Sequence, residues 1–356
     1  MNTCYFCWTS SPNAISDGFS DLQEELSTNE SCFFSGSVHS ISADGSRLHL
    51  ARYGTHRYHL FDLLRDIHNF RKFLRNNHIS YLFVFSSSPI YGLLPYLIPR
   101  SIKIGFWIHD PMVHSGERFR VSLLKSLADR LLTLSSKVDA VFLAGEFLRS
   151  QVAKTPFRKL SQVVIPLAYS KKLVHPGRTN EFNKQKGRII FFGRIEKYKG
   201  IDWFLNALQK HGSPLSKFGV QIIIAGRGKV DFPVEALAVG IDVILDNRYI
   251  PNDELSQMIS SSEIAIFPYR DATGTCAIQT AGALGCKIVA TSVGTLPDLL
   301  ISPYSKAVDP QDPEGFISAI ANLLNSDYDP RSISSSYDAQ FSPATFANSL
   351  ATNIER

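Results

Sequence analysis

The stretch that decides the fold is RIIFFGRIEKYKG, residues 188–200, an apolar run that ends at Gly193 and continues into a basic loop. Arg188–Phe192 has the length and the β-branched and aromatic content of a buried strand, and a helical pattern begins at Gly200. A strand that leads through a short loop into a helix is the unit from which helix-covered parallel sheets are built. The stretch therefore predicts an α/β fold.

The same alternation of strand-length apolar runs and helical patterns extends in both directions. The strands predicted before residue 170 are Thr3–Trp8, Ile79–Ser86, Ile102–Ile108, Val138–Ala144 and Gln162–Pro166. Those predicted after it are Arg188–Phe192, Val220–Ala225, Val243–Leu245, Ile264–Phe267 and Lys287–Thr291. The helices predicted between the later strands are Gly200–Lys210, Asp253–Ser260, Thr275–Leu284 and Pro313–Leu324. Two such runs predict two doubly wound domains that face each other across a cleft, with the ligand at the carboxyl ends of the strands.

A polar and basic segment with Pro176 and Gly177 separates the two runs. A last helix is predicted at the C-terminus, because Ser342 is a candidate N-cap and Pro343 suits the first helical position. We expect this helix to cross back to the first domain. The predicted parts are a first domain over 1–170, a linker over 171–186, a second domain over 187–341 and the C-terminal helix over 342–356.

Composition excludes several classes of protein. Of 356 residues, 44% are hydrophobic and 19% charged, which is typical of a chain with a buried core and excludes wholesale disorder. Five cysteines in this length do not form a disulfide scaffold, and the Cys4–Cys7 pair has no second pair to complete a metal site. No apolar run is long enough to cross a membrane, and the first residues lack a signal-peptide pattern. We therefore expect a cytoplasmic protein.

The net charge of +5 lies entirely in residues 1–170, which contain 18 Lys/Arg and 13 Asp/Glu. Two segments, Phe61–Asn77 and Glu117–Lys137, combine basic residues with helical apolar spacing. Such a helix can lie on an anionic membrane surface, or it can pack on the core with a solvated basic face. A nucleic-acid partner is not expected, because the charge is modest and the sequence has no nucleic-acid-binding motif.

Three segments of the second half have residues suited to a phosphate ligand. Arg194 and Lys199 follow a strand end, where a guanidinium and an ammonium can bind a diphosphate or can simply be exposed loop charges. Gly226, in the AGRG sequence after another strand, allows the backbone to approach a ligand closely. The sequence FPYRDATGTCAIQTA, residues 267–281, leads from a strand through small residues to a helix start, which favours an anion or is a plain turn capped by Thr275.

Taken together, four segments resemble the donor half of the family-4 retaining glycosyltransferases of GT-B fold. They are GRIEKYKGID (193–202), IIIAGRG (222–228), RYIPNDEL (248–255) and IAIFPYRDATGTCAIQTAGALGCKIVATSVGTLPDLL (264–300). The resemblance covers Arg188–Leu300, about a third of the chain. It implies retaining transfer of a hexose or deoxyhexose from a nucleotide-diphosphate sugar to a hydroxyl, with neither metal nor cofactor. It also implies a lipid-linked or glycan acceptor in bacterial polysaccharide or lipopolysaccharide assembly, at the inner face of the plasma membrane.

The resemblance assigns roles to individual residues. Arg194 and Lys199 match the basic pair that neutralises the departing diphosphate. The residues expected to contact the nucleotide sugar are Gly193, Gly226, Tyr249, Ile250, Ala272, Thr273, Gly274, Thr275, Cys276 and Thr280. In the first half, His109 follows an apolar strand at the place where similar enzymes have a histidine that contacts the donor sugar. A structural role for His109, or a metal site with Asp110 and His114, is the alternative.

The loop Ser10–Ser20, with Asp17 and Gly18, matches the position of the acceptor loop of this fold. One departure from the family concerns its two glutamates, eight positions apart, whose places are taken here by Ala272 and Thr280. A subset of the family also lacks the first glutamate. Either Gln279 or Thr280 could bond a ribose hydroxyl instead. The loss of both carboxylates leaves a second hypothesis open, a non-catalytic partner subunit of the same fold.

Overall fold

The computed structural model describes residues 2–8, 21–22, 24–26, 32–35, 48–50, 60–86, 89–108, 119–174, 182–229, 241–272 and 274–355. The chain forms two compact units. Unit 1 comprises Met1–Ile165 together with Phe346–Arg356, and unit 2 comprises Pro166–Thr345. The segment expected as a linker, 171–186, falls in unit 2, and the first strand of that unit begins within it at Gln185.

Unit 1 is built on a seven-stranded parallel sheet with the order β3-β2-β1-β4-β5-β6-β7. Its strands are β1 Thr3–Trp8, β2 Cys32–Ser35, β3 Leu48–Leu50, β4 Tyr81–Ser86, β5 Lys103–Ile108, β6 Val138–Leu143 and β7 Ser161–Val164. Its helices are α1 Leu60–Asn76, α2 Leu94–Leu97, α3 Phe119–Leu134 and α4 Phe147–Val152. The C-terminal helix α10, Pro343–Glu355, joins this unit through residues 346–356.

Unit 2 is built on a six-stranded parallel sheet with the order β10-β9-β8-β11-β12-β13. Its strands are β8 Gln185–Phe192, β9 Gln221–Ala225, β10 Asp242–Asp246, β11 Ser262–Phe267, β12 Lys287–Thr291 and β13 Ser305–Val308. Its helices are α5 Ile201–His211, α6 Asn252–Ser261, α7 Ala277–Ala283, α8 Pro313–Leu324 and α9 Pro330–Phe341. Strand β8 lies in the middle of this sheet, between β9 and β11.

The expected α/β architecture is confirmed, and the central strands are buried on both faces as a helix-covered parallel sheet requires. All six residues of β11 and all five of β12 are buried. Lys287, at the start of β12, is buried, and its ammonium group forms an ion pair with the Glu263 carboxylate at 2.9 Å. The pairing offsets the cost of burying the charge. This ion pair is at the amino ends of the strands, so it supports the sheet at the edge away from the loops that follow the strands.

The C-terminal helix starts where the sequence places it. Ser342 Oγ accepts a hydrogen bond from the Thr345 amide at 3.2 Å, as an N-cap does. Further along α10, the Phe346 ring packs against Trp107 of β5 with 5.6 Å between the ring centroids. In the part of the chain that the structure describes, no helix is long and apolar enough to cross a membrane.

Candidate active site

Two glycines bring the carboxyl ends of β8 and β9 together. Gly193 has φ +105° and Gly226 has φ +147°, conformations that favour glycine. A Cβ atom on Gly226 would lie 1.9 Å from the Gly193 carbonyl oxygen, so no side chain fits there. The Gly193 amide donates to the Ala225 carbonyl at 3.0 Å, and the Gly226 amide donates to the Asp246 carbonyl at 3.0 Å. Backbone hydrogen bonds thus join the ends of the neighbouring strands β8, β9 and β10.

The loop after β8 folds back over the end of β11 and places Lys199. A short turn over Lys197–Lys199 ends at Gly200, which has φ +70° and would bring a Cβ to 1.9 Å from the Pro268 carbonyl oxygen. The Arg270 amide donates to the Tyr198 carbonyl at 2.6 Å and fixes this approach. As a result the Lys199 ammonium nitrogen lies 5.2 Å from the centre of the Tyr269 ring.

Lys199 is a recessed cation with a perturbed pKa. A Cβ atom on Gly193 would meet its Nζ at 3.0 Å, so the amine lies directly against the glycine backbone. Burial, and then the neighbouring Arg194 charge, lower the pKa of Lys199 to about 8. Arg194 itself is 77% exposed and forms an ion pair with Glu196 at 2.9 Å. The two cations therefore follow the same strand end at different depths, and an anion bound beside them would restore the full charge of Lys199.

The small-residue loop after β11 lies beside the basic pair. Gly274, Thr275 and Cys276 are half-buried, and Cys276 is near enough to Lys199 to influence its pKa. Helix α7 begins at Ala277, two residues later than predicted, and Thr275 Oγ1 accepts from the Ala277 amide at 3.1 Å. Ala272 is buried. This loop therefore presents small groups and a helix start next to the Lys199 ammonium.

Thr280 and Gln279 are engaged within the unit. Thr280 is buried, and its hydroxyl accepts from the Ser170 amide at 3.1 Å and donates to the Cys276 carbonyl at 2.7 Å. Gln279 is also buried, and its side-chain amide donates to the Leu167 carbonyl at 3.1 Å. Both side chains attach the segment before residue 171 to α7. The Thr280 hydroxyl proton is therefore already donated, and a ribose hydroxyl could bond to Thr280 only by donating to its remaining lone pair.

The segment expected to contact the base divides into an exposed and a buried residue. Tyr249 is 76% exposed, whereas Ile250 is buried in the core of unit 2. Arg248 beside them is held between the carboxylates of Asp246 and Glu254, and its hydrogen bond to Glu254 lowers the pKa of that carboxyl. The Tyr249 ring is thus accessible to a base, whereas the Ile250 side chain belongs to the core.

Sequence reasoning missed two residues of this site. Tyr269 is buried, and its ring lies under the Lys199 ammonium. Asn247 exchanges two hydrogen bonds with the backbone of Gly228, at 3.0 and 2.8 Å, and so fixes the loop after β9. Tyr269 lies within the 264–300 segment, and Asn247 directly precedes the 248–255 segment. A polar side chain directly after a strand was the available signal for Asn247.

Several predicted site residues lie outside the described residues: Thr273, His109 with its neighbours Asp110 and His114, and Asp17 and Gly18 of the expected acceptor loop. Among the described residues, no group of three or more His, Cys, Asp and Glu side chains could hold a metal ion.

Comparison with known proteins matches the same part of the chain. Residues 186–326 match the family model described as "Glycosyl transferases group 1". All of the described candidate donor-site residues lie within this range. The match covers the β8 loop, the β9 loop and the start of α7.

Two curated relatives match part of the chain. A protein from Klebsiella pneumoniae, described as an uncharacterized 41.2 kDa protein in the cps region, is 27% identical over 122 residues, 34% of this chain and 32% of that protein. An uncharacterized glycosyltransferase from Methanocaldococcus jannaschii is 25% identical over 142 residues, 38% of this chain and 35% of that protein. The chain thus spans about a third of the length of each of these relatives.

Solved structures match over the whole length. Sucrose-phosphate synthase from Thermosynechococcus elongatus aligns with a TM-score of 0.66 at 14% sequence identity. The alignment covers 100% of this chain and 98% of the synthase chain. Anabaena HepE in complex with UDP has a TM-score of 0.68 at 12% identity and covers 100% of both chains. The chain has the GT-B fold. At these identities the likeness concerns the fold, and the chemistry is argued from the site.

Proposed function

We propose that this protein transfers a sugar from a nucleotide-diphosphate donor to a hydroxyl acceptor. The observation that carries the proposal is the recessed Lys199 ammonium, seated against Gly193 at the end of β8 with Arg194 beside it. A diphosphate is the donor group that such a pair suits, since Arg offers a planar fork and Lys a point charge. The family model that matches residues 186–326 supports the same reaction class.

The chemistry follows from the charge that develops on the leaving group. The bond between the anomeric carbon and the diphosphate oxygen breaks, and its electron pair goes to that oxygen. The acceptor oxygen forms a new bond to the anomeric carbon, and its proton passes to the departing diphosphate on the same face. Lys199 and Arg194 stabilise the negative charge. The anomeric configuration is thereby retained, and the reaction needs no protein nucleophile.

The finer assignments belong to the same proposal. The relative from the cps region of K. pneumoniae supports a role in cell-surface polysaccharide assembly, with a lipid-linked or glycan acceptor. HepE has been solved with UDP and with UDP-glucose, which supports a uridine nucleotide as the first donor to test. We propose that the two cations take the place of a metal ion and that the reaction occurs in the cytoplasm.

A thermal-shift panel tests the proposal. UDP, GDP, ADP, dTDP and CMP are added in turn to the purified protein, with and without EDTA. A ligand at 100 times its dissociation constant stabilises the native state by about 2.7 kcal/mol. We expect one diphosphate to raise Tm equally in both conditions, and we expect Lys199→Ala to lose the shift. No shift with any of them would contradict the proposal.

One observation favours a second function, a non-catalytic subunit that retains the donor site. Ala272 and Thr280 replace both family glutamates, and the Thr280 hydroxyl is engaged within the unit. Incubation with UDP-, GDP-, ADP- and dTDP-sugars distinguishes the two functions. Release of the nucleoside diphosphate supports the transferase, whereas binding without release supports the subunit.

A further inference from the structure

A cavity of about 500 Å³ opens on unit 1 between the second half of α3 and the turn before β7. Four cations line it, Arg130 from the helix and Lys154, Arg158 and Lys159 from the turn. No acidic side chain is among its lining residues in the described part of the chain. The cavity therefore has the same sign of charge on both walls.

These four cations have no counter-charge among the described residues. No ion pair joins any of them to an acidic side chain in that part of the chain. Helix α3 contains one acidic residue, Asp129, which is buried and accepts a hydrogen bond from the Tyr91 hydroxyl. Positive charges gathered in one cleft repel each other and focus a positive potential. The cavity is therefore suited to an anion.

The turn that carries three of the cations is fixed by its own hydrogen bonds. Thr155 is buried, and its hydroxyl donates to the Val152 carbonyl at 2.8 Å and accepts from the Phe157 amide at 3.2 Å. The Arg158 amide donates to the Thr155 carbonyl at 3.3 Å. The buried Phe157 ring stacks on Phe106 of β5 with 6.2 Å between the ring centroids. Binding thus requires little ordering of this backbone.

The transfer reaction does not explain this cavity. The turn leads into β7 at Ser161 and α3 leads into β6 at Val138, so the cavity lies at the amino ends of the strands. In doubly wound units substrates bind at the carboxyl ends. The proposed nucleotide contacts of the described chain are in unit 2, whereas the cavity is in unit 1.

We infer that this cavity binds a small soluble molecule with two separate phosphate groups. Arg130 and Arg158 project from different walls, and each guanidinium can bind one phosphate as a planar fork. Lys154 and Lys159 add two point charges on the side of the turn. The inference goes beyond the proposed function, because it uses neither the donor site nor the nucleotide.

The size and the remaining lining of the cavity favour a molecule larger than a phosphate ion. A volume of about 500 Å³ lies within the range of small-molecule sites, roughly 300–1,000 Å³. Pro156 and Leu160 also line it and offer apolar contact to the body of the ligand between its phosphates. A sugar bisphosphate has both features and is the probe that we choose.

Titration calorimetry with fructose bisphosphate and fructose monophosphate tests the inference. The parent protein is the full chain with Lys199→Ala, in which the proposed diphosphate site is disabled. The cavity variant adds Arg130→Gln and Arg158→Gln, two exposed positions. The matched control adds Lys210→Gln and Lys306→Gln, which remove two exposed cations of unit 2 instead.

We expect the parent protein to bind one fructose bisphosphate per chain and to bind the monophosphate at least about tenfold more weakly. The cavity variant should bind the bisphosphate on the order of 100-fold more weakly, since each lost charge-assisted contact costs roughly a factor of ten. The matched control should bind like the parent. No binding by the parent, equal affinity for the two sugars, or equal losses in the variant and the control would overturn the inference.

Two further measurements separate this ligand class from other anions and from the proposed function. Binding of a polyglutamate peptide or of phosphatidylglycerol vesicles, without binding of the bisphosphate, would overturn the inference in favour of a macromolecular surface. With Lys199 restored, the cavity variant should keep the nucleotide thermal shift of the wild type, which also shows that it is folded. Bisphosphate binding without any nucleotide shift in the wild type would support this inference and contradict the proposed function.

Discussion

At the scale of single residues, Lys199 combines a proposed role in binding with a cost in stability. An ammonium group held among Gly193, Tyr269 and Arg194 is partly desolvated, and its pKa falls to about 8. The sequence predicted this cation from its place after a strand. It could not predict Tyr269 beneath it, because an aromatic residue at a strand end is more commonly part of the core.

Lys199→Met should stabilise the ligand-free protein at pH 7 by about 1–2 kcal/mol, because it removes a partly desolvated charge. In the wild type the pKa of Lys199 is lower in the folded protein than in the unfolded chain. The free energy of unfolding therefore rises as the pH increases from about 8 to about 10.4. The variant should lack this rise. Urea denaturation at pH 7 and pH 10 measures both effects. If Lys199→Met is less stable than the wild type and its stability depends on pH in the same way, the buried Lys199 charge does not destabilise the folded protein.

Nucleotide affinity should depend on the protonation of Lys199. A diphosphate binds the protonated amine, so its Kd should be constant below pH 7 and rise above pH 8 by up to about tenfold per pH unit. Lys199→Arg keeps its charge throughout this range and should show no such rise. Titration calorimetry between pH 6.5 and 9.5 measures this. Parallel curves for the two proteins would exclude Lys199 as the titrating group.

At the scale of elements, the sequence predicts the ends of strands and helices best where a buried apolar pattern coincides with start or stop residues. Strand β12 and helix α8 have the predicted ends. Helix α8 begins at Pro313, where Asp312 caps the Gly315 amide at 2.7 Å. Strand β13 was not predicted, because its four residues lie at the sheet edge and two of them are exposed. Helix α9, PRSISSSYDAQF, was not predicted because serines interrupt its apolar pattern.

The attachment of the 167–170 segment to α7 could not be predicted, since Thr280 bonds to Ser170, 110 positions away. Thr280→Val should lower the free energy of unfolding by about 1–2 kcal/mol, because it leaves the Ser170 amide without this acceptor. Thr280→Ser keeps the hydroxyl and should cost less. Urea denaturation and nucleotide titration are measured on both variants. A tenfold loss of affinity in Thr280→Val at unchanged stability would instead support a ribose contact.

At the scale of the whole molecule, the α/β class and the presence of two parallel sheets followed from the alternation of strand and helix patterns, whereas the strand order within each sheet comes from the structure. The C-terminal helix was expected to return to the first domain, and residues 346–356 group with unit 1. The Phe346 ring is buried against Trp107. The sequence signals for this helix, Ser342 and Pro343, fix where it starts and give no information about what Phe346 packs against.

Phe346→Ala should destabilise unit 1 by about 3–5 kcal/mol, since it removes a buried aromatic ring. Phe346→Leu should cost less, because most of the volume is kept. Tryptophan fluorescence during denaturation reports on Trp107 when Trp8 and Trp203 are replaced by Phe in both the reference protein and the variants. The nucleotide thermal shift serves as the control for unit 2. If the alanine variant unfolds like the wild type, the last helix does not support unit 1 through this contact.

Calorimetric titration of a nucleoside diphosphate in the presence of EDTA shows most directly whether the Lys199 loop binds a diphosphate. The diphosphate is the one that gives the largest thermal shift, and the proteins are the wild type, Lys199→Ala and Lys210→Ala. We expect Lys199→Ala to bind about 10- to 100-fold more weakly, because a charge-assisted hydrogen bond is lost. We expect an unchanged Kd for Lys210→Ala, which removes an exposed lysine of α5. Equal affinity in all three proteins would contradict the assignment of the Lys199 loop as the diphosphate site.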